Sequence, residues 1–506
     1  MLTRLVENFL IGAFNRARDR KEVPPPPEPA PEAPLPPDAT VLGHLIRADG
    51  AARREPVVLS SEARRRHLYM LGATGTGKTN LLLRLIESDI QNNVSFCVID
   101  LRGDLVDRVM LRLAATAPPD VWRERLLLLD LRNSEHVVGF NPLLGESEVH
   151  TRALHLLAVI KHQSDSWGIQ LEESLRNSLL ALAETGWSLL EIEPLLTNST
   201  FRAKVLEGVT DSRVRSFFER YNGLSASNQM TWALAVLNKI TPLLSIPSLR
   251  LMFGQRQSFS FRNLLDRQPG MIVLVSLAID QLHEAARLTG GLLVSSFQTA
   301  IMSRVDQPEA QRVPVNLYID EFESMASERF EAIVAEGRRF GLGLTLSHQN
   351  INQLSTNLRH VLRNNVHTQI YFQTGALDAA DLAKEINGEQ SSDEVRATLM
   401  SQGIGQAYLV RRGQPSARLQ VLHSPDPRVA EERVQAVRQA SLETYARPKH
   451  EVEAEIAQRE REYRQTSDSS LPDSATGAAP SYEIRHSKAR TFKPPQPPPG
   501  AGGGAS

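Results

Sequence analysis

Eight residues, Gly72 to Thr79 (GATGTGKT), constrain this chain more than any other stretch. They fit the spacing G-x-x-x-x-G-K-[ST]. Before them, residues 67–71 (HLYML) form an apolar run of strand length, and after them the leucines of residues 80–86 (NLLLRLI) recur at helical spacing. The three glycines let the backbone fold back sharply, so that successive N–H groups and the following helix N-terminus converge on one point. Such a point attracts phosphate. Gly72, Ala73, Thr74, Gly75, Thr76, Gly77, Lys78, Thr79 and Asn80 are therefore the candidate nucleotide-binding residues. Lys78 is expected to neutralise the β/γ-phosphates of ATP, and the Thr79 hydroxyl to ligate Mg²⁺. A glycine turn with no ligand would need neither the lysine nor the threonine.

The second decisive stretch is residues 315–321 (VNLYIDE). A buried strand that delivers two carboxylates to its carboxyl end is the Walker B arrangement. Asp320 then holds Mg²⁺, directly or through water, and Glu321 polarises the attacking water. Asp-Glu after an apolar run is common, and the pairing with GATGTGKT gives it meaning. Other short apolar runs, residues 95–101 and 125–131, end in aspartate and alternate with helical stretches. That alternation predicts a mainly parallel sheet with crossover helices and ligands at the carboxyl ends of the strands. Asp100 and Asp104 are accordingly expected near the nucleotide end of the sheet.

The organisation around these motifs reads as seven segments. Residues 1–22 form an amphipathic helix carrying Arg16, Arg18, Arg20 and Lys21, which either lies on an anionic membrane surface or docks on protein. Residues 23–39 are a Pro-rich linker, with proline at nine of the fourteen positions 24–37, hence extended. Residues 40–145 hold the first part of the α/β core, opening with a small hairpin about Asp49-Gly50. Residues 146–255 switch to helical periodicity only, and residues 256–425 resume the strands. Residues 426–465 are charged and helical, and residues 466–506, rich in Ser, Pro and Gly, are expected to be disordered.

Composition narrows the function classes. Lys plus Arg (57) nearly balance Asp plus Glu (58), for a net charge of −1, so contact with nucleic acid must come from local patches or from assembly. Cys97 is the only cysteine, which excludes an internal disulfide and a cysteine-built zinc site. No run approaches the roughly 18 to 20 apolar residues that span a bilayer. The expected location is the bacterial cytoplasm, peripheral at the inner face of the plasma membrane through residues 1–22.

Several stretches together, HLYMLGATGTGKT, VIDLRGDL, FNPL, WGIQLEESLRNSLL, FRAKVL, LYIDEFESM, EGRRFGLGLTLSHQ and VHTQIYFQTGALDAADLAKEI, run from about residue 67 to 386. In these the chain resembles the HerA/FtsK superfamily of RecA-like motor ATPases, and within it the TraD/TraG-type coupling ATPases of type IV secretion and conjugation. The resemblance implies a RecA-like P-loop NTPase core with an inserted all-α domain. It implies a homo-oligomeric ring, a hexamer, that hydrolyses ATP with Mg²⁺ to move DNA without sequence preference. The DNA, or a protein joined to it, would pass to a type IV secretion channel, with that channel or a relaxase as a partner. Gln349 matches the family's γ-phosphate-sensing glutamine, and Arg338 a proposed arginine finger that reaches a neighbour's ATP, with Arg339 as the fallback.

Two features differ from the relatives: the chain begins with a short amphipathic helix where coupling proteins carry transmembrane helices, and residues 38–60 are too short for the β-barrel of HerA-type repair motors. A cytosolic HerA-like motor for repair or phage defence, and a nucleotide-gated substrate receptor with little translocation, stand as alternatives. Arg53-Arg54 and Arg64-Arg65-Arg66 are basic clusters that read either as DNA contacts or as solvated faces.

Overall fold

The computed structural model of the protein describes residues 39–46, 52–145, 147–164, 166–326, 330–386 and 390–468. The expected amphipathic helix, the Pro-rich linker, the hairpin turn at 49–50 and the tail beyond 468 lie outside the described residues.

The strands are β1 (Thr40–Ile46), β2 (Ala52–Leu59), β3 (Leu68–Leu71), β4 (Ser95–Asp100), β5 (Leu126–Asp130), β6 (His136–Val138), β7 (Ile272–Ser276), β8 (Val315–Asp320), β9 (Leu342–His348), β10 (Thr368–Tyr371), β11 (Gln406–Arg411), β12 (Ala417–Val421) and β13 (Ala446–Pro448). Eleven of them build one sheet, in the order β2-β1-β12-β11-β10-β3-β9-β8-β4-β7-β5. From β10 to β5 every neighbouring pair is parallel. From β10 outward to β2 every pair is antiparallel. Gly43 sits where β1 crosses β12, and a Cβ there would stand 2.0 Å from the Gln420 carbonyl oxygen, so only glycine lets the two strands close.

The parallel strands are buried largely on both faces, which explains why most of their residues are apolar without strict alternation. Alternate residues divide between two cores: Tyr69, Leu71, Cys97 and Ile99 face one, and Leu68, Met70, Phe96 and Val98 the other. The second core is covered by α2 (Lys78–Gln91) and α3 (Asp104–Thr116), which follow α1 (Ser61–Arg65). The first continues into a helical body spanning 149–253, which includes α4 (Val149–His162), α5 (Ile169–Thr185) and α6 (Ala226–Leu244). α7 (Glu284–Met302) packs against the same core, and α8 (Ser392–Ser401) lies between β10 and β11 in sequence. No single helix among the described residues is long and apolar enough to cross a membrane.

The charged region after the sheet contains more than helix. α9 (Glu431–Tyr445) lies along β5, where Ser441 Oγ accepts the Leu128 N–H at 2.7 Å. The chain then makes β13, which pairs antiparallel with β6, and continues as α10 (Lys449–Asp468) against the helical body. There the Tyr463 hydroxyl donates to buried Glu191 at 2.8 Å. This C-terminal strap ties the sheet to the helical body.

Candidate nucleotide site

The loop after β3 is slung between the ends of its two neighbouring strands. The Gly72 N–H donates to the His348 carbonyl at the end of β9 (3.3 Å), and the Ala73 N–H to the Gln373 carbonyl beyond β10 (2.8 Å). Across the loop, Thr76 Oγ1 donates to the Ala73 carbonyl at 2.8 Å. Gly77 caps α2 in the left-handed region (φ 118°), which calls for glycine, and a Cβ there would also stand a tight 3.1 Å from the Cα of Gly405. Ala73, Thr74 and Gly75 remain exposed above the N-terminus of α2.

Lys78 opens α2, and its ammonium donates to the Gly72 and Ala73 carbonyls at 2.6 and 2.9 Å. Burial lowers its pKa, while the carboxylates of Asp320, Glu321 and Glu323 pull the other way. Thr79 stands half-buried one residue further on. The Asn80 side chain turns away from the loop: its amide donates to the Leu422 carbonyl at 2.7 Å and accepts the Ser424 N–H at 2.7 Å. Asn80 thus braces the chain leaving β12 against the first turn of α2.

Two strands away, β8 ends on Asp320, and Glu321 follows it. Desolvation pushes the Asp320 carboxyl up to about 6, with Asp100 and Glu321 adding to the push and Lys78 opposing it. Glu321 sits in the left-handed region (φ 52°, ψ 43°), a costly conformation for a residue with a Cβ. There its Oε1 accepts from Gln349 Nε2 at 2.8 Å, and Gln349 Oε1 accepts from the Thr74 hydroxyl at 3.0 Å. Thr74, Gln349 and Glu321 therefore form one hydrogen-bonded chain from the exposed loop to the end of β8.

Arg338 is not part of this constellation. It and Arg339 lie exposed in the turn Gly337–Phe340, at the amino end of β9, whereas Gln349 follows the carboxyl end of that seven-residue strand. At about 3.3 Å per residue the two are roughly 20 Å apart. Arg338 lies instead near His67 and His367, at the starts of β3 and β10, where burial first holds both imidazoles below their ordinary pKa, with Arg338 adding to it at His67 and Arg66, Arg411, Arg412 and then Arg338 adding to it at His367.

Other sequence candidates take structural places. Arg64 is no surface contact: its guanidinium meets buried Asp89 through two bonds of 2.5 and 2.8 Å, with Tyr318 on both partners. Asp100 is near the site, but its carboxylate accepts the N–H groups of Arg102, Leu105 and Val106 at 3.0, 2.8 and 3.2 Å and so shapes the start of α3. Asp104 is exposed on the first turn of α3.

Three further neighbours of the site belong to no spacing motif in the sequence. Glu323 lies beside Asp320 and Glu321; desolvation, then those two charges, push it up to about 7. Arg102 Nε stands 4.0 Å from Glu321 Oε1. Buried His348 contacts the Tyr69 hydroxyl and packs on Phe322, and burial beside Lys78 pushes it down to about 3, so it is neutral. The signals were present in IDEFE and LRGD, but a third carboxylate and a loop arginine carry no spacing rule of their own.

Against known proteins, residues 55–422 match the family model described as "Type IV secretion-system coupling protein DNA-binding domain". The chain belongs to this coupling-protein family. None of the curated protein sequences matches it. Among solved structures, the coupling fold is seen in plasmid coupling protein TrwB in complex with ADP and Mg²⁺, at 18% identity and a TM-score of 0.55, covering 78% of this chain and 97% of that one. TrwB with the GTP analogue GDPNP gives 19% identity and a TM-score of 0.53, over 74% and 89%. VirB4 of Thermoanaerobacter pseudethanolicus gives 14% and 0.52, over 78% and 98%. These likenesses establish the shared mixed α/β fold with a large, mostly parallel sheet and helical insertions.

Within the coupling-family chain, the donor set suits ATP with Mg²⁺. Thr79 and Asp320 offer hard oxygen ligands, the kind Mg²⁺ takes in small number alongside substrate phosphates. The described residues hold no cluster of three His, Cys, Asp or Glu able to cage a metal alone.

Proposed function

We propose that this chain is a RecA-like, ATP-driven motor that moves DNA in type IV secretion or conjugative transfer, working as a homo-oligomeric ring. One observation carries the reading: the chain Thr74–Gln349–Glu321 links the loop that would cradle the phosphates to the carboxylate that would activate water. The family described for residues 55–422 supplies the substrate class.

In this reading the loop N–H groups and the N-terminus of α2 hold the triphosphate, and Lys78 exchanges its two loop carbonyls for β/γ-phosphate oxygens. Mg²⁺, held by Thr79 and Asp320, would neutralise phosphate charge. Glu321 polarises the attacking water, and Gln349, bonded to both Thr74 and Glu321, reports whether the γ-phosphate is present. Arg338 lies too far from its own subunit's site and serves the neighbour's, which makes the ring part of the chemistry.

Turnover should rise severalfold or more on adding DNA of arbitrary sequence, and the DNA affinity should fall steeply between about 50 and 200 mM salt, because phosphate contacts dominate. Turnover indifferent to DNA would favour a nucleotide-gated receptor over a motor.

A further inference from the structure

Seven large apolar side chains are notably exposed among the described residues, and three of them, Leu377, Met400 and Ile404, come from the segment that links β10 to β11. Ile404 is 80% exposed, between two glycines, where a folding core has no use for it. Its position is fixed from both sides. The next residue, Gly405, donates its N–H to the Thr76 carbonyl at 2.8 Å, and its Cα lies against Gly77. Met400, 43% exposed on α8, offers its carbonyl to the Gln373 side chain at 3.0 Å, and the Gln373 backbone carbonyl in turn holds the Ala73 N–H. Both side chains are therefore one or two hydrogen bonds from the phosphate loop.

The sheet order says which part of a nucleotide comes to them. Neighbouring strands are about 4.8 Å apart. The groups suited to a γ-phosphate, Gln349 and Glu321, follow β9 and β8, on one side of β3. The phosphate loop follows β3 itself. A nucleoside triphosphate that starts over β8 and β9 and crosses the loop brings its ribose and base out over β10 and β11, where Ile404 and Met400 stand. The chain tied down by Asn80 at Leu422 and Ser424 borders the same side.

We propose that Ile404, together with Met400, is the ledge on which the purine base of the bound nucleotide stacks. This rests on the reading of residues 72–79 as the phosphate cradle. Stacking uses the face of the base rather than its edge, so ATP and GTP should bind within about tenfold of each other.

The test is equilibrium binding to the full chain with Mg²⁺ present, using ATP and inorganic tripolyphosphate as probes, on the wild type, Ile404→Asp, Ile404→Leu and Met400→Ser. Ile404→Asp should weaken ATP by about tenfold or more, as loss of an apolar contact plus charge beside the base requires, and leave tripolyphosphate within twofold. Ile404→Leu should bind ATP like the wild type. Unchanged ATP affinity in Ile404→Asp, or an equal fall for both probes, overturns the ledge. So does a change confined to subunit assembly in sedimentation, which would make these side chains a contact between copies. A wild type that binds neither probe instead refutes the phosphate cradle beneath it. Because Ile404 is solvent-facing, its replacement leaves the cores intact, and unchanged circular dichroism checks this.

Discussion

At the scale of single residues, the site depends on a few charges in a partly dehydrated place. Lys78→Ala should abolish both ATP binding and turnover, because it removes the main counter-charge from the loop. Glu321→Gln should bind ATP and hydrolyse it about 10² to 10⁴ times more slowly, the scale for losing a general base. Steady-state turnover set beside nucleotide binding separates the two. Wild-type turnover in Glu321→Gln would refute its role. Glu323 gives a pH signature. Its pKa is raised from the ordinary value to about 7, so the folded protein keeps a proton that the unfolded chain has released, and stability falls as pH rises through that interval. Replacing it with glutamine removes the penalty. Glu323→Gln should therefore raise the melting temperature of the nucleotide-free protein clearly at pH 8 and hardly at pH 5. Equal shifts at both pH values would mean that Glu323 is not held protonated.

At the scale of elements, the strand-loop-helix units were the legible part. Residues 67–91 and 315–321 read correctly as strand, loop and helix because apolar runs, glycines and aspartates there obey local rules. What the sequence withheld was contact between distant segments. β6 and β13 are three residues each, and Ala446-Arg-Pro has no strand pattern, so a pairing across some three hundred positions leaves no local trace. Arg64 fails for the same reason: a triple arginine looks solvated until Asp89, on another helix, is seen beneath it. Burial alone would work against its charge, but Asp89 and then Tyr318 hold the guanidinium charged. Arg64→Ala leaves the Asp89 carboxylate buried without its counter-charge, held only by Asn316 and Tyr318, and should cost about 3 to 5 kcal/mol in denaturant titration. Arg65→Ala, on the half-buried neighbour without such a partner, should stay within about 0.5 kcal/mol. A similar loss for both would mean that the buried pair does not hold α1 to the core.

At the scale of the whole molecule, the parts of the proposed shared site lie at opposite ends of the parallel strands. The loop, Asp320, Glu321 and Gln349 gather at the carboxyl ends of the strands, and Arg338 stands at the amino ends among Arg66, Arg411 and Arg412, which also lower the pKa of His367. In the proposed ring, the amino end of one subunit's strands would meet the carboxyl end of its neighbour's, which a single subunit cannot arrange. A mixture of Arg338→Ala and Lys78→Ala subunits should then regain turnover at interfaces where an intact Lys78 site meets an intact Arg338, though each variant alone is inactive. A co-assembled mixture as inactive as its parents would remove Arg338 from the shared site. The motor itself is tested most directly by displacement of a third strand from linear duplex DNA, followed by fluorescence with ATP, with a non-hydrolysable analogue, and with Glu321→Gln. The account predicts displacement with wild type and ATP only. Displacement that is equally fast with the analogue or the variant, or absent while DNA-stimulated hydrolysis continues, would contradict it.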